Sequence, residues 1–427
     1  MHGIEAPVPF LRRLFDLAVA AADPMRCVPA ALPARPAGRV VVVGAGKASA
    51  RMTEAVEAVW GPCEGLVVTR DGYGRPTRGV EIVEASHPVP DARGLDATAR
   101  MLRLLDGLGE GDFVLALVSG GGSALLVQPA EGVTLAEKQA VNRALLASGA
   151  PIGEMNVVRK HLSRVKGGQL AGAAWPARML ALAISDVPGD DLAMIASGPT
   201  VGDVATAADA AAILARRGID APVSVLRALA AGSGVVRPDD PRLSRTRNLL
   251  VAAPSQSLEA AATAARAAGC DLRLVGDAVE GEAREVAAAQ AALARGIRAG
   301  MAPGDRPALV LSGGECTVTR RGGGVGGPNA EFCLGLAVAL DGAAGIWGLA
   351  CDTDGVDGAA EVAGATVAPD TLARARAAGL DPAAALARND AHTFFAALGD
   401  QVVTGPTLTN VNDFRAVLVM PPQAPAA

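Results

Sequence analysis

The chain of 427 residues is half apolar, 3% aromatic and 19% charged, with a formal net charge of -5 and a pI near 5.5. This balance belongs to soluble globular proteins, and the length exceeds one ordinary core, so two domains are the default. There is no basic run to suit a nucleic acid, and every apolar run is cut by charge, Gly or Pro well short of the length a membrane span needs.

Six cysteines (Cys27, Cys63, Cys270, Cys316, Cys333, Cys351) form no CxxC pair, and the histidines stand apart as His2, His87, His161 and His392. This argues against a zinc site or a disulfide framework and for a reducing cytoplasm.

In chain order, PFLRRLFDLAVAAADP carries Arg12, Arg13 and Asp16 inside an apolar pattern and predicts an amphipathic helix, not a signal peptide. RVVVVGAGKASARMTEAVEAVW predicts a strand, a tight turn and a helix from about Ala48 to Trp60. Gly44 and Gly46 fit the first two glycines of a dinucleotide fingerprint. Ser49 fills the third position, however, and the next strand ends in Thr69 and Arg70 where a ribose-binding acid belongs. The spacing is not that of a Walker A loop either. Lys47, at the start of the helix, reads either as a solvated cap residue or as a cation that neutralises transferring phosphate. His87, before Pro88 in SHPVPD, reads as structural.

FVLALVSGGGSALLV, from Phe113 to Val127, predicts a strand, a bare loop and a helix. Glycines 120 to 122 let the backbone approach a ligand, and the following helix would point unbonded N–H groups at the same spot, which suits an anion. An ordinary glycine-rich turn is the competing reading. Thr134 and Glu137 form a capping box for the next helix.

Arg159, Lys160, His161, Arg164 and Lys166 then fall within eight residues. At helical spacing Lys160 and Arg164 share a face. A solvated basic face competes with phosphate or carboxylate binding. MLALAISDVPGDDLAM predicts a strand up to Ile184 that delivers Asp186, Asp190 and Asp191 past its C-terminal end, where they can hold a metal or take a proton.

AAGSGVVRPDDPRLSR reads as an inter-domain connection, giving domains over 1–234 and 235–427, with the strand NLLVAA opening the second. A strand ending in SGGE (Ser312 to Glu315) echoes the first glycine loop. Five of the seven residues from 322 to 328 are Gly, which is entropically unfavourable to order unless the backbone binds something. Asn329 and Glu331 open the next helix. CDTDGVDG places Asp352, Asp354 and Asp357 at a strand end, out of step with a calcium loop, and reads as a Mg²⁺ or hydroxyl site against a solvated turn. Asn410, Asn412 and Asp413 form a polar turn before the last strand.

Backbone donors at glycine loops, a few cations and acids at strand ends form the inventory of phosphoryl transfer. GAGKAS, HPVPD, SGGGSALL, NVVRKHLSRVKGGQLA, SDVPGDDLAMIASGPT, SGGE, GGPNAEF and DTDGVDG, in this order, resemble the glycerate 2-kinase family over nearly the whole chain. The resemblance implies an α/β protein with an N-terminal Rossmann-like three-layer domain, a smaller C-terminal α/β domain of the MOFRL type, and an active site in the cleft. It implies transfer of the ATP γ-phosphate to the 2-hydroxyl of D-glycerate, giving 2-phosphoglycerate, with Mg²⁺ or another divalent metal, in a monomer or homodimer. Some members carry the label hydroxypyruvate reductase, so an NAD(P)H-dependent reductase is the alternative; a non-catalytic sensor of sugar phosphates is a third.

Residue by residue, the resemblance points to Lys47 as a phosphate-charge partner, and Asp186 or Asp352 is expected to take the proton of the acceptor hydroxyl. Gly44, Gly46, Ser119, Gly120, Gly121, Gly122, Ser123, Glu315 and Asn329 are expected around the nucleotide phosphates, and Asp190 and Asp354 at the metal. Arg159, Lys160 and Arg321 are the candidates for substrate. Many members read GGRNQE where this chain has Pro328 and Ala330; if that Arg binds substrate or phosphate there, Arg321 or Arg159 is expected to serve in its place here.

Overall fold

The computed structural model describes residue 4, residues 6–358 and residues 360–423; His2 lies outside them. Two units emerge. One runs Asp23–Val251, and the other joins the described residues up to Ala22 to the chain from Ala252 onward.

In the unit Asp23–Val251 six strands form one sheet: β1 (Val40–Ala45), β2 (Glu64–Arg70), β3 (Val80–Ala85), β4 (Phe113–Val118), β5 (Arg178–Ile184) and β6 (Thr246–Ala252), in the order β3-β2-β1-β4-β5-β6. The pairings from β3 through to β5 are parallel. β1 and β4 carry no charge and are buried along their whole length, as a parallel sheet covered by helices requires. Helices Ala92–Leu105 and Gln169–Ala174 bring Met101, Leu105 and Leu170 against Val41, Val43 and Ala116. This is the doubly-wound order, whose direction reverses between β1 and β4. A separate apolar cluster unites helices Leu135–Ala147, Ile152–His161, Ala207–Arg216 and Val223–Ala230 around Val141, Val158, Leu214 and Val225.

The cut expected at 234/235 falls elsewhere. Asn248 to Ala252 of NLLVAA lie in β6, the edge strand beside β5, and the second unit resumes only at Ala252. The stretch before it is woven into the first unit as well: Val236 N–H donates to Gly167 O at 2.9 Å, and Val236 O accepts from Asp203 N–H at 2.9 Å.

The other unit holds β7 (Asp271–Gly276), β8 (Gly281–Glu282), β9 (Ala308–Gly313), β10 (Cys316–Thr317), β11 (Ile346–Asp352), β12 (Gly364–Val367), β13 (Gln401–Val402) and β14 (Asp413–Val419). Its main sheet runs β13-β12-β11-β14-β9-β7, antiparallel except for β7 beside β9, while β8 and β10 form a two-stranded parallel pair. The N-terminal helix Pro7–Ala21 belongs to this unit. Its apolar stripe of Leu11, Leu14, Phe15 and Ala18 packs with Leu258, Leu309, Leu349 and Phe414, and the Phe15 and Phe414 ring centroids are 5.9 Å apart.

No described helix is long and apolar enough to cross a membrane.

Candidate functional site

Parallel strands end at one edge of their sheet, so the residues that follow them are neighbours whatever their separation in sequence. Lys47 follows β1, His87 follows β3, the Ser119 loop follows β4 and Asp186 follows β5. Where the order reverses, Lys47 N–H donates to Gly120 O at 2.8 Å and Ser119 N–H to Ala45 O at 3.2 Å. Ser119 Oγ is fully buried and accepts from Ala48 N–H at 3.0 Å. Gly44 and Gly46 are dictated by this packing. A Cβ on either would lie 2.1 Å from a neighbouring oxygen, Leu117 O for Gly44 and Ser119 Oγ for Gly46.

Two expectations for this loop change. The helix after it is only Gly122–Leu125, because Val127 N–H is captured by Thr98 Oγ1 at 3.1 Å. Gly122 N–H and Ala124 N–H are bonded within the loop, to Ser119 O and Gly121 O, both at 3.1 Å. Ser119 is therefore a tie between two crossovers. Ser123 Oγ shares a hydrogen bond with Ser197 Oγ at 2.7 Å.

Gly121, at φ +79°, sits between the side chains of His87 and Lys47. A Cβ there would lie 3.1 Å from His87 Nε2 and 3.2 Å from Lys47 Cγ. His87, read from the sequence as structural, thus stands at the glycine loop. Its signal was its place just past a strand of the same parallel set.

The basic segment does not form one continuous helix. Ile152–His161 ends before Arg164, which is exposed, and Gly167 and Gly168 turn the chain with positive φ, so Lys160 and Arg164 share no face. Lys160 is buried in an ion pair with Asp203, which engages its charge. Arg159 instead lines a cavity of about 210 Å³ with His87, Gly121, Ser123, Lys138 and Lys166, walled by Val141, Leu145, Val158 and Leu162. None of the described residues lining it is Asp or Glu.

Arg159 Nε donates to Asn142 Oδ1 at 2.8 Å. Lys138 Nζ donates to Leu162 O (2.8 Å) and Arg159 O (3.4 Å), and Lys166 Nζ to Leu126 O (3.1 Å) and Ala196 O (3.4 Å). Burial, then the neighbouring Arg159, pushes Lys138 down to about 7. Burial, then Lys138, Arg159 and Lys160, pushes Lys166 well below the usual lysine range, and burial lowers Arg159 too. Lys138 escaped the sequence reading because it sits inside a helix whose capping box looks ordinary.

Asp186 is half-buried beyond β5. Asp190, at φ +57°, has its Oδ1 buried with no partner among the described residues, an orphaned carboxylate oxygen of the kind a cation satisfies. Asp191 Oδ1 accepts from Ala193 N–H at 2.9 Å. Among the described residues no group of three or more His, Cys, Asp or Glu is placed to hold a metal by itself. Mg²⁺ does not need one, since it binds through one or two carboxylates plus substrate phosphates.

In the other unit the acids and glycines are largely committed to the fold. Gly322 and Gly324 pack on the backbone of Arg388 and Asp390, and a Cβ on Gly327 would lie 2.4 Å from Asp357 Cγ. What this glycine run binds is the protein's own chain. Asp357, fully buried, accepts from Asn329 N–H (3.0 Å) and Ala330 N–H (2.8 Å) at the start of helix Pro328–Leu340 and pairs with His392 Nε2 at 3.0 Å. Pro328 suits the first turn, whose N–H groups lack helical partners.

Asn329, expected near phosphate, is buried and donates through Nδ2 to Asp413 Oδ1 at 2.7 Å. Asp413 in turn faces the fully buried Arg415 at 3.2 Å, whose guanidinium also donates to Gly313 O and Gly314 O. Asp352 ends β11 half-buried, its Oδ1 accepting from Asp354 N–H at 2.9 Å, and Asp354 Oδ1 accepts from Val356 N–H at 2.7 Å. Glu315 and Arg321 are exposed, and Arg321 N–H donates to Asn389 Oδ1 at 2.7 Å.

A family model described as a domain of unknown function (DUF4147) matches residues 10–230, and that of the MOFRL family matches residues 308–413. A protein of Agrobacterium vitis named putative hydroxypyruvate reductase is 56% identical over 96% of this chain and 94% of its own. The D-glycerate 2-kinase of Thermotoga maritima is 39% identical over 94% of this chain and 96% of its own. The crystal structure of a glycerate kinase from Thermotoga maritima, 38% identical, superposes with a TM-score of 0.86 over 96% of this chain and 99% of that one. With the two family models matched in this order and relatives of this identity along nearly its whole length, the chain belongs to the glycerate kinase family with a MOFRL domain.

Proposed function

We propose that the protein transfers the γ-phosphate of ATP to the 2-hydroxyl of D-glycerate, giving 2-phosphoglycerate and ADP. The observation that carries this reading is the arrangement at the strand-order reversal: Lys47 and His87 flank Gly121, beside a cavity lined by Lys138, Arg159 and Lys166 and by no Asp or Glu among the described residues. Such a site balances the charge of a transferring phosphoryl group.

In the reaction the acceptor O2 forms a bond to the γ-phosphorus, the bond from that phosphorus to the β,γ-bridging oxygen breaks, and the hydroxyl proton passes to Asp186. Lys47 offsets charge on the phosphoryl oxygens. Asp190, with its orphaned Oδ1, is the residue suited to hold Mg²⁺, whose bound form neutralises phosphate charge. Asp354 is less suited, since one of its oxygens already accepts from Val356 N–H. The enzyme works in the cytoplasm as a monomer or homodimer; its six free thiols accord with a reducing compartment.

The names of the Agrobacterium vitis relatives and the doubly-wound strand order favour a second reading, reduction of hydroxypyruvate by NAD(P)H. Against it, the start of helix Ser49–Trp60, where a dinucleotide pyrophosphate would rest, is already occupied. Ala48 N–H is bonded to Ser119 Oγ and Ser49 N–H to Gly46 O. The two readings separate in one assay. ADP release that requires D-glycerate, with 2-phosphoglycerate as the product, supports the kinase; NAD(P)H oxidation on hydroxypyruvate without such release would overturn it.

A further inference from the structure

Lys138, Arg159 and Lys166 come from three different segments and converge on one cavity, and the described residues around them offer no carboxylate. Lys160, next to Arg159 in sequence, is by contrast neutralised by Asp203. Like charges gathered out of water without a counterion raise one another's free energy, and an anion relieves all three at once. The same cavity is lined by Gly121 and Ser123, so its occupant touches the glycine loop.

We propose that this cavity seats the carboxylate of the phosphoryl acceptor, with Arg159 as its primary partner and Lys138 and Lys166 as counter-charge. The proposal rests on the kinase reading and names the acceptor's subsite within it. A short hydroxy acid bound this way directs its hydroxyl carbon toward the glycine loop.

The hydrogen bonds of the lysines carry a consequence. Each Nζ already has two carbonyl acceptors, which satisfy the two N–H bonds of a neutral amine. A third N–H, present only in the ammonium form, has no acceptor among the described residues until an anion arrives. The charged and titratable groups facing Lys138 are Arg159 from helix Ile152–His161, Lys166 from the following turn and His87 from the loop after β3. Arrival of a carboxylate therefore draws a proton onto the lysine pair above neutral pH.

The test uses the full-length protein. KM for D-glycerate and for ATP is measured for the wild type, Arg159→Gln, Arg159→Lys and Lys138→Met, with melting temperatures to confirm folding. D-glycerate binding is also followed calorimetrically at pH 8 in two buffers of different ionisation enthalpy. The expected result is a KM for D-glycerate raised at least tenfold in Arg159→Gln, partly recovered in Arg159→Lys, with KM for ATP within twofold. Proton uptake should accompany D-glycerate binding and be reduced in Lys138→Met.

A raised KM for ATP with unchanged KM for D-glycerate would assign the cavity to nucleotide phosphate and overturn the proposal, as would D-glycerate binding without proton uptake. If no turnover occurs with D-glycerate yet it binds with proton uptake that Arg159→Gln abolishes, the subsite stands and the kinase reading falls. If turnover occurs and Arg159→Gln leaves both KM values unchanged, the subsite falls and the kinase reading stands.

Discussion

The backbone N–H of Lys47 donates to the carbonyl of Gly120 at 2.8 Å, across the point where the strand order of the first sheet reverses. One hydrogen bond thus joins the turn that carries the candidate phosphate lysine to the glycine loop beside it. Ser119 Oγ reinforces the joint by accepting from Ala48 N–H.

Ser119→Ala leaves the Ala48 N–H unsatisfied in a buried place and is expected to destabilise the protein by about 1–3 kcal/mol. KM for ATP should change less than threefold. Chemical denaturation and steady-state kinetics on the same sample check this; a tenfold rise in KM for ATP at unchanged stability would restore the hydroxyl as a phosphate ligand.

Asp186→Asn should lower kcat by roughly 10²–10⁴ with little change in either KM, because a base acts on the proton in flight and not on ground-state binding. The corresponding Asp352→Asn variant is the comparison. A kcat within threefold of wild type for Asp186→Asn, with a large loss for Asp352→Asn, would move the proton-accepting role to Asp352.

Asp357→Asn removes the carboxylate that caps helix Pro328–Leu340 and pairs with His392. The expected cost is about 1–2 kcal/mol, the range for loss of a helix cap. The Mg²⁺ concentration for half-maximal activity should stay the same, whereas a severalfold increase without loss of stability would return Asp357 to the metal.

Lys138 is buried, and that burial, with Arg159 beside it, pushes its pKa down to about 7. Between that value and the ordinary lysine pKa, the unfolded chain holds a proton there that the folded protein lacks. Stability therefore rises with pH across this window, by at most about 1.4 kcal/mol per pH unit from this group, and the contribution is flat below it. Lys138→Met should remove that rise, measured as the difference in urea-unfolding free energy between the two proteins at pH 7, 8 and 9; identical slopes would refute it.

The strands β1, β4 and β5, the glycine turns that follow them and the capping box at Thr134 and Glu137 were legible in the linear chain, because each depends on residues a few positions apart. The acids beyond β5 and β11 were legible for the same reason. Less legible was what each polar group is bonded to. Asp352, Asp354 and Asp357 look alike in CDTDGVDG, yet Asp357 caps a helix that begins 29 positions earlier, at Pro328.

Local order alone, meaning hydrophobic periodicity and turn chemistry, was enough to specify the α/β character, the glycine loops and the set of charged candidates. The partner of the N-terminal helix, the edge place of β6, the ion pair that engages Lys160 and the convergence of Lys138, Arg159 and Lys166 on one cavity were decided only when the chain folded. The reason is physical. Burial and charge depend on which distant segments pack together, and a side chain's desolvation and its counterion are properties of that packing, which spacing along the chain does not encode.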